Sequence, residues 1–188
     1  MLFPITFFSG PMRSGKSTRL WSELQRNSYR KNVTVEFYRP HKDTRDFLVR
    51  SAVGGMKPER IEIKKLENPQ DILNTTADVI GLDELHFLTE EIVDYLLELY
   101  LQGKEIFVAG LTVDANGVVW KSSQRLLTSP EVNIVRCFAA CEWCGNRWAS
   151  RTFGKFGNVG VGDEQYEPIC LPCWDGHFKD KQSQMNIA

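Results

Sequence analysis

Eight residues near the amino terminus have the types and spacing needed to hold the phosphates of a nucleotide. Residues 10–17 fill every fixed position of the pattern G-x-x-x-x-G-K-[ST] and lie between a predicted strand and a predicted helix. Backbone N–H groups of such a loop form a nest for anions, to which Lys16 would add a cation for the β- and γ-phosphates. The Ser17 hydroxyl would bind Mg²⁺. The alternative interpretation of the whole motif is a glycine-rich turn that matches the pattern by chance. The predicted ATP-binding residues of this loop are Gly10, Pro11, Met12, Arg13, Ser14, Gly15, Lys16 and Ser17.

Two adjacent acids, Asp83 and Glu84, follow a short apolar run and form a second candidate site. A carboxylate at the end of such a strand can hold Mg²⁺ directly or through water, which we predict for Asp83 as a further ATP-binding residue. Glu84 would then face the acceptor, orient its hydroxyl group and take its proton. The alternative is a pair of solvated acids that cap the next helix.

A long loop over residues 39–58 contributes Asp43 and Arg45. An arginine here could reach a phosphoryl group during transfer and stabilise its charge, which predicts an ATP-side role for both residues. A surface ion pair is the alternative, and composition alone favours it.

Four of the five cysteines form two Cys-x-x-Cys pairs, Cys141 with Cys144 and Cys170 with Cys173, separated by 25 residues. Tetrahedral Zn²⁺ takes four thiolates from two such tight turns, so the spacing predicts a zinc site. Four free thiols are the alternative. Because cysteine fills all four positions, we expect a structural and not a catalytic zinc.

Apolar runs alternate with segments of helical spacing over the first 136 residues. This alternation predicts an α/β fold with a mainly parallel sheet of the P-loop NTPase type. Beyond about Arg136 come the paired cysteines, several glycines and no helical period. We therefore expect a nucleotide-binding domain over residues 1–136, a small zinc-ribbon-like lobe over 137–178 and a polar tail over 179–188. The predicted strands are Leu2–Ser9, Val33–Tyr38, Ile61–Ile63, Val79–Leu82, Glu105–Ala109 and Val132–Arg136, and the predicted helices lie at Thr18–Arg30, after Asn68 and Pro69, and from Thr89 to Gly103.

Bulk properties disfavour several classes of protein. The net charge of −1 over 188 residues gives no general attraction to nucleic acid or acidic membranes, so neither is expected as a partner. No stretch is long enough to span a bilayer, and the apolar residues 2–8 lack the basic flank of a secretion signal. Cysteines in short pairs suit a reducing compartment, which predicts a cytoplasmic protein. We expect Cys137 to be a buried thiol and His177 a surface residue.

The order of these motifs resembles the thymidine kinase family of the cellular, bacterial and poxvirus type. That family has a G-P-M-x-S-G-K-[ST] loop, a D-x-R loop, a D-E-x-Q-F-F strand end, a V-x-G-L segment and a zinc lobe with an essential tyrosine. The same order runs here from about residue 5 to residue 173, which is nearly the whole chain. Its counterparts are residues 10–17, residues 43–45, residues 83–88, residues 108–111, and the segment from Cys141 to Cys173 with Tyr166.

The resemblance implies an enzyme that transfers the γ-phosphoryl group of ATP to thymidine, with Mg²⁺ and a structural Zn²⁺, as a homotetramer or dimer. It implies that Glu84 accepts the proton of the nucleoside 5′-hydroxyl, and that Lys16 and Arg45 complete the catalytic set. Tyr166 would close over the nucleoside, while residues 157–161 would bond the base through their backbone. The implied nucleoside-binding residues are Met12, Leu111, Ala115, Thr152, Gly157, Asn158, Val159, Gly160, Val161 and Tyr166.

Three positions depart from the family pattern: His86 stands for the usual Gln, Leu88 for the second Phe, and Ala115 for a Phe in the pocket wall. These differences favour a divergent member with altered selectivity, so a kinase for another deoxynucleoside is one alternative. A P-loop ATPase whose zinc ribbon binds nucleic acid is the alternative from another class, although the ribbon is not notably basic. A catalytically dead nucleotide-binding subunit is disfavoured because the loop lysine, the loop serine and both acids are intact.

Overall fold

Six parallel strands form the central sheet of the molecule, whose computed structural model describes residues 2–43, 60–154 and 165–177. The strands are β1 (Ile5–Ser9), β2 (Val35–Pro40), β3 (Ile61–Leu66), β4 (Val79–Leu82), β5 (Glu105–Gly110) and β6 (Val132–Arg136). Their spatial order is β3-β2-β4-β5-β1-β6, and every neighbouring pair is parallel. The predicted α/β class with a mainly parallel sheet is confirmed.

Helices cover both faces of this sheet, because side chains along a strand point alternately to opposite faces. On the first face, α1 (Lys16–Ser28) packs its apolar side against Phe8 of β1. On the other face, α2 (Ile92–Leu101) and α3 (Lys121–Leu127) share an apolar cluster with Phe7. We call these the α1 face and the α2/α3 face. In the described part of the chain, no helix has the length and apolarity needed to cross a membrane.

The residues after β6 form a small lobe with its own two-stranded antiparallel sheet. Strand β7 (Arg151–Gly154) pairs with β8 (Tyr166–Ile169), and a short helix, α4, follows over residues 171–177. A third apolar cluster lies inside this lobe and includes Cys141, Ala149 and Cys170. Paired cysteines are therefore part of the lobe's small core.

Strands β1, β2 and β3 differ from their predicted ends by two or three residues, and three helices differ from the sequence-based expectation. The predicted cap at Thr89 is wrong: α2 begins at Ile92, and its N-cap residue, Glu91, makes no side-chain cap. No periodic pattern predicts α3, because its seven residues hold only two apolar side chains and both stand at its end. The expectation that no helix follows Arg136 is also wrong. Helix α4 tolerates a proline in its first turn, where that residue's missing N–H would have no helical partner.

A helix approaches the sheet so closely at β4 that only glycine fits there. A Cβ atom added at Gly81 would stand 2.4 Å from Cδ1 of Leu24 in α1. The Leu24 side chain is fully buried, so it cannot move aside without disturbing a packed core. The packing of α1 on the sheet therefore depends on the absence of a side chain at residue 81.

We expect Gly81→Ala to lower the free energy of unfolding by roughly 1–3 kcal/mol, the usual cost of overfilling a core. Urea denaturation measures this cost. It should shrink when Leu24 is already alanine, because the clashing atoms are gone, and equal costs in both backgrounds would contradict the contact. Gly176→Ala is the control, since no atom lies within 4 Å of its added Cβ. That variant should not lower the free energy of unfolding and can raise it by up to about 1 kcal/mol, because Gly176 lies in α4 and alanine is favoured over glycine in a helix.

Candidate active site

The loop between β1 and α1 is shaped by its two fixed glycines. Gly15 has a φ of 79°, a left-handed conformation that favours glycine, and α1 begins at the next residue. A Cβ atom at Gly10 would lie 2.2 Å from the backbone carbonyl oxygen of Cys137, which leaves no room for a side chain. The first glycine therefore lets the loop pass close to the chain after β6, and the second lets α1 start.

Two polar side chains of this loop, those of Lys16 and Ser14, donate hydrogen bonds to the same backbone carbonyl oxygen. The Lys16 ammonium donates a hydrogen bond to the carbonyl oxygen of Pro11 at 2.5 Å, and the Ser14 hydroxyl donates to the same atom at 2.8 Å. Both side chains are buried, so the cation is held against the loop. Phosphate oxygens are stronger acceptors than a neutral carbonyl and could replace it as the partner of Lys16.

Asp83, at the carboxyl end of β4, is in contact with the start of α1. Its buried carboxylate accepts a hydrogen bond from the backbone N–H of Glu84 at 2.9 Å and lies close to the Ser17 hydroxyl. Burial and the neighbouring Glu84 charge raise the pKa of Asp83 to about 7, although the nearby Ser17 hydroxyl and the Lys16 ammonium act in the opposite direction. The two residues predicted to hold Mg²⁺ therefore lie side by side, next to the loop lysine.

Glu84 stands at a sharp turn directly after this strand. Its φ of 53° is left-handed, and it precedes the 3₁₀ turn Leu85–Phe87. Holding a residue other than glycine in this conformation costs about 1–3 kcal/mol, which the surrounding structure must offset. Because the Asp83 carboxylate lies close to Ser17 at the start of α1, it can serve a metal while Glu84 serves another group.

His86, which replaces the family's usual Gln, ties this turn to the end of β5. Its Nδ1 accepts a hydrogen bond from the backbone N–H of Leu111 at 3.3 Å and lies 3.5 Å from Oε2 of Glu84. Its ring packs against Phe87 and Trp120, with centroids 4.3 and 5.4 Å apart. A buried histidine thus fixes the backbone between Glu84 and the nucleoside-binding candidate Leu111.

Two buried serines of α3 support the same region, and no sequence motif indicates them. The Ser123 hydroxyl donates a hydrogen bond to the carbonyl oxygen of Leu111 at 2.6 Å, and the Ser122 hydroxyl donates to that of Leu85 at 3.2 Å. A pair of adjacent serines in a short helix is the only sequence signal, and it is common on surfaces. These residues position the site without touching a reacting group.

The described nucleoside-binding candidates come together along one side of β7. The Thr152 hydroxyl accepts a hydrogen bond from the backbone N–H of Met12 at 3.1 Å, which links the small lobe to the phosphate loop. Two residues along the strand, a Cβ atom at Gly154 would lie 3.3 Å from the Ala115 side chain and 3.4 Å from the Tyr166 ring. Four of the described candidates therefore lie at or next to β7: Met12, Ala115, Thr152 and Tyr166. The fifth, Leu111, is hydrogen-bonded to His86, which lies next to Glu84.

Asp43 is buried and forms an ion pair with Arg39, four residues earlier. Other predicted residues fall outside the described chain. Arg45 and residues 157–161, with Gly157, Asn158, Val159, Gly160 and Val161, lie outside the described residues. Their roles stay predictions.

The four paired cysteines converge as their spacing predicts. The ligand atoms of Cys141, Cys144, Cys170 and Cys173 all lie within 4.8 Å of one another. The sulfur atoms of Cys144 and Cys170 are 3.6 Å apart. Four Zn–S bonds of about 2.3 Å in a tetrahedron place their sulfurs about 3.8 Å apart, so the donor set fits zinc in number, chemistry and size.

Backbone N–H groups stabilise the thiolate form of one member of this cluster, Cys141. Burial raises the pKa of Cys141, but hydrogen bonds from the backbones of Cys170, Cys144 and Trp143 outweigh it and lower that pKa to about 6. Cys137 is buried outside the cluster, as expected, and its thiol faces the carbonyl oxygen of Val135 at 3.8 Å. His177 instead packs its ring on Phe153 and Trp143, with centroids 4.8 and 5.5 Å apart.

Comparison with known proteins decides the family. The family model described as "Thymidine kinase" matches residues 4–174. The chain belongs to the thymidine kinase family. Similar relatives named thymidine kinase come from Mesoplasma florum (32% identical, covering 90% of both chains), Bacteroides fragilis (28%, covering 96% of this chain and 91% of that one) and Pseudothermotoga lettingae (28%, covering 91% and 94%).

Two solved structures resemble this thymidine kinase family member more distantly. The ATPase DotB of Legionella pneumophila is 19% identical with a TM-score of 0.43, covering 69% of this chain and 35% of that chain. The pilus retraction motor PilT with bound ADP is 17% identical with a TM-score of 0.44, covering 69% and 36%. Because both scores are below 0.5, the fold class rests on the strand order of the sheet itself.

We expect this family member to contain one Zn²⁺ per chain, measured by metal analysis after gel filtration. Cys144→Ser should lose the zinc, because a serine hydroxyl is a poor replacement for a thiolate ligand. Cys137→Ser is the matched control and should keep it, since Cys137 lies outside the cluster. Protein that carries no zinc and exposes all four cluster thiols to titration would contradict the site.

Proposed function

We propose that this chain transfers the γ-phosphoryl group of ATP to the 5′-hydroxyl of thymidine. The observation that carries the proposal is the meeting of Ser17 and Asp83, beside Lys16, within a chain that matches the thymidine kinase family over residues 4–174. A P-loop serine, a strand-end acid and a loop lysine at one point form a site for the metal-bound phosphates of a nucleotide. Glu84 follows directly and is the base for an acceptor hydroxyl.

Transfer would rest mainly on positioning and on charge. The loop over residues 10–17 would hold the phosphates, with Lys16 exchanging its bond to Pro11 for one to phosphate. Ser17 and Asp83 would hold Mg²⁺, which neutralises phosphate charge when bound. We further propose that Arg45 stabilises the phosphoryl group in transfer, and that Asp43 acts indirectly by holding the start of that loop through its ion pair with Arg39.

Glu84 would act as the general base. Its backbone is held in a left-handed turn, and the neighbouring His86, 3.5 Å away, restricts where its side chain can lie. A positioned base must reach the proton that it removes within about 2.6–3.2 Å, so a fixed carboxylate beside the nucleoside wall is well placed for the 5′-hydroxyl. The strained turn would give the acid a fixed direction before substrate binds.

The nucleoside would bind between the phosphate loop and the small lobe. Met12 and Leu111 would supply apolar walls, Thr152 would face the base, and Tyr166 would close over it. Backbone groups of residues 157–161 would recognise the edge of thymine, whose donor and acceptor pattern differs from that of cytosine. Sites built on such hydrogen bonds discriminate strongly, because the wrong base leaves buried groups unpaired.

The zinc would be structural in this proposal. Its four ligands anchor the chain before β7 and after β8, so the metal would fix the strand that carries Thr152 against the loop. We also propose residues 1–136 as the nucleotide-binding domain, 137–178 as the zinc lobe and 179–188 as a tail. A cytoplasmic homotetramer or dimer completes the proposal, and the family resemblance supports it.

One observation favours a second candidate, a kinase for another deoxynucleoside. Ala115 lies against Gly154 near Tyr166, where the family carries a phenylalanine. A smaller side chain at this position widens the pocket on one side. Replacing a ring by a methyl group removes contact area with the base, which weakens selection by shape.

A panel of nucleosides with ATP and Mg²⁺, scored for monophosphate, tests the proposed acceptor. We expect thymidine to be the best substrate and deoxyuridine a weaker one, because deoxyuridine lacks only the methyl group. Preference for a different deoxynucleoside would establish the second candidate. No monophosphate from any nucleoside, together with ATP hydrolysis that responds to DNA or RNA, would replace both candidates by an ATPase.

Glu84→Gln should retain ATP affinity and lose roughly 10²–10⁴-fold in kcat, since positioned general bases contribute that much. Glutamine preserves size and removes only the basic oxygen. The matched control is Glu90→Gln, which makes the same change at an exposed position just before α2 and should leave kcat unchanged. An unaltered kcat in the Glu84 variant would remove this residue from the mechanism.

A further inference from the structure

A cavity of about 140 Å³ lies where the carboxyl ends of β1 and β6 meet the small lobe. Its wall includes Gly10 and Pro11 from the phosphate loop, Arg136 and Thr112 from the sheet edge, and Ser150 and Arg151 from the lobe. Among the described residues, none assigned above to the nucleoside or to zinc lines it. The cavity is therefore a separate space that shares only the first two loop residues with the candidate active site.

This cavity borders the opposite side of the loop from the phosphate nest. Arg136 is the register partner of Ser9 on β1, so both side chains point to the same face of the sheet. That is the α2/α3 face, since Ser9 is two residues from Phe7 and one residue from Phe8, which packs with α1. The nest, by contrast, opens at the start of α1.

The charge of the cavity wall is positive and uncompensated. The described residues of this wall include two arginines and no acidic residue. Within residues 2–43, 60–154 and 165–177, Arg136 forms no ion pair, and Arg151 makes only a stacking contact with Trp174, 4.4 Å from the ring centroid. Other arginines do find carboxylates: Arg13, Arg26, Arg30, Arg39 and Arg125 are all ion-paired.

The same wall carries hydroxyl groups that suit an oxyanion. Thr112 and Ser150 line the cavity, and Ser9, also in its wall, has a buried hydroxyl with no hydrogen-bond partner in the described part of the chain. Guanidinium forks and hydroxyl donors together are the groups that proteins use to hold phosphate. The volume is well below the roughly 300–1,000 Å³ of sites for drug-sized ligands, so a single small group fits.

We propose that this cavity binds a phosphate-class anion, either free inorganic phosphate or the terminal phosphate of a nucleotide, at a site distinct from the phosphate nest. Its occupant would lie against Gly10 and Pro11. The carbonyl oxygen of Pro11 is the acceptor that Lys16 and Ser14 share, so an anion behind the loop acts on the group that holds the loop lysine. Binding at the two sites is thereby coupled, and the coupling is reciprocal.

Equilibrium dialysis with radiolabelled inorganic phosphate tests the site while Mg²⁺ and a non-hydrolysable ATP analogue fill the nest. We expect one phosphate bound per chain, with affinity reduced roughly ten- to hundredfold in Arg136→Gln, the usual cost of losing hydrogen bonds to a charged group. Arg136→Lys keeps the charge but loses the forked guanidinium group. Its affinity for phosphate should therefore lie between those of the unaltered protein and Arg136→Gln. Arg60→Gln removes the same charge beside β3, at the opposite sheet edge, and should bind normally.

Competition distinguishes the two sources of the anion. Displacement of the label by a nucleoside diphosphate at lower concentration than by unlabelled phosphate identifies the nucleotide as ligand, and the reverse order identifies free phosphate. Either result supports the site. No bound phosphate while the nest is filled, or equal binding by Arg136→Gln of unchanged circular dichroism and zinc content, overturns it. No turnover is measured, so the outcome does not depend on the identity of the acceptor nucleoside.

Discussion

The contact between Asp83 and Ser17 is the constraint around which the candidate active site is arranged. Strand β5 separates β4 from β1, so the ends of those two strands lie two strand spacings apart, about 9–10 Å. A carboxylate cannot cross that gap alone. The loop after β1 closes it by turning back and starting α1 where the Ser17 hydroxyl meets Asp83. The length of the loop motif is therefore also what brings Ser17, which follows β1, to Asp83 at the end of the non-adjacent strand β4.

Each residue in the first half of that loop makes a different contact with the rest of the structure. Gly10 passes against the backbone of Cys137, the Pro11 carbonyl accepts from Lys16 and Ser14, and the Met12 N–H donates to Thr152. Arg13 forms an ion pair with Glu142 in the lobe. A loop held in this way needs little reorganisation when phosphate arrives, which is the condition under which fixed dipoles stabilise charge most effectively.

Features with a local pattern or a metal-binding spacing were predictable from the sequence, and the other long-range contacts were not. Strands β4 and β6 were predicted with their observed ends, since an apolar run bounded by polar residues is a local signal. The phosphate loop and the cysteine cluster were predictable because spacing alone encodes them. By contrast, the bond from Leu111 to His86 joins residues 25 apart, and the pairing of Asp43 with Arg39 depends on burial that composition does not reveal. Helices α3 and α4 owe their order to packing and not to periodicity.

The strand order also determines how this chain must fold. β1 is synthesised well before its partners β5 and β6, with Thr6 opposite Phe107 and Ile5 opposite Val132. At about 5–20 residues per second, roughly 5–20 s pass before even the first partner exists. Throughout that interval an apolar strand with Phe7 and Phe8 has neither neighbour. Pairings so distant in sequence close slowly, so the strand that leads into the phosphate loop is the one that most needs protection from aggregation on the ribosome.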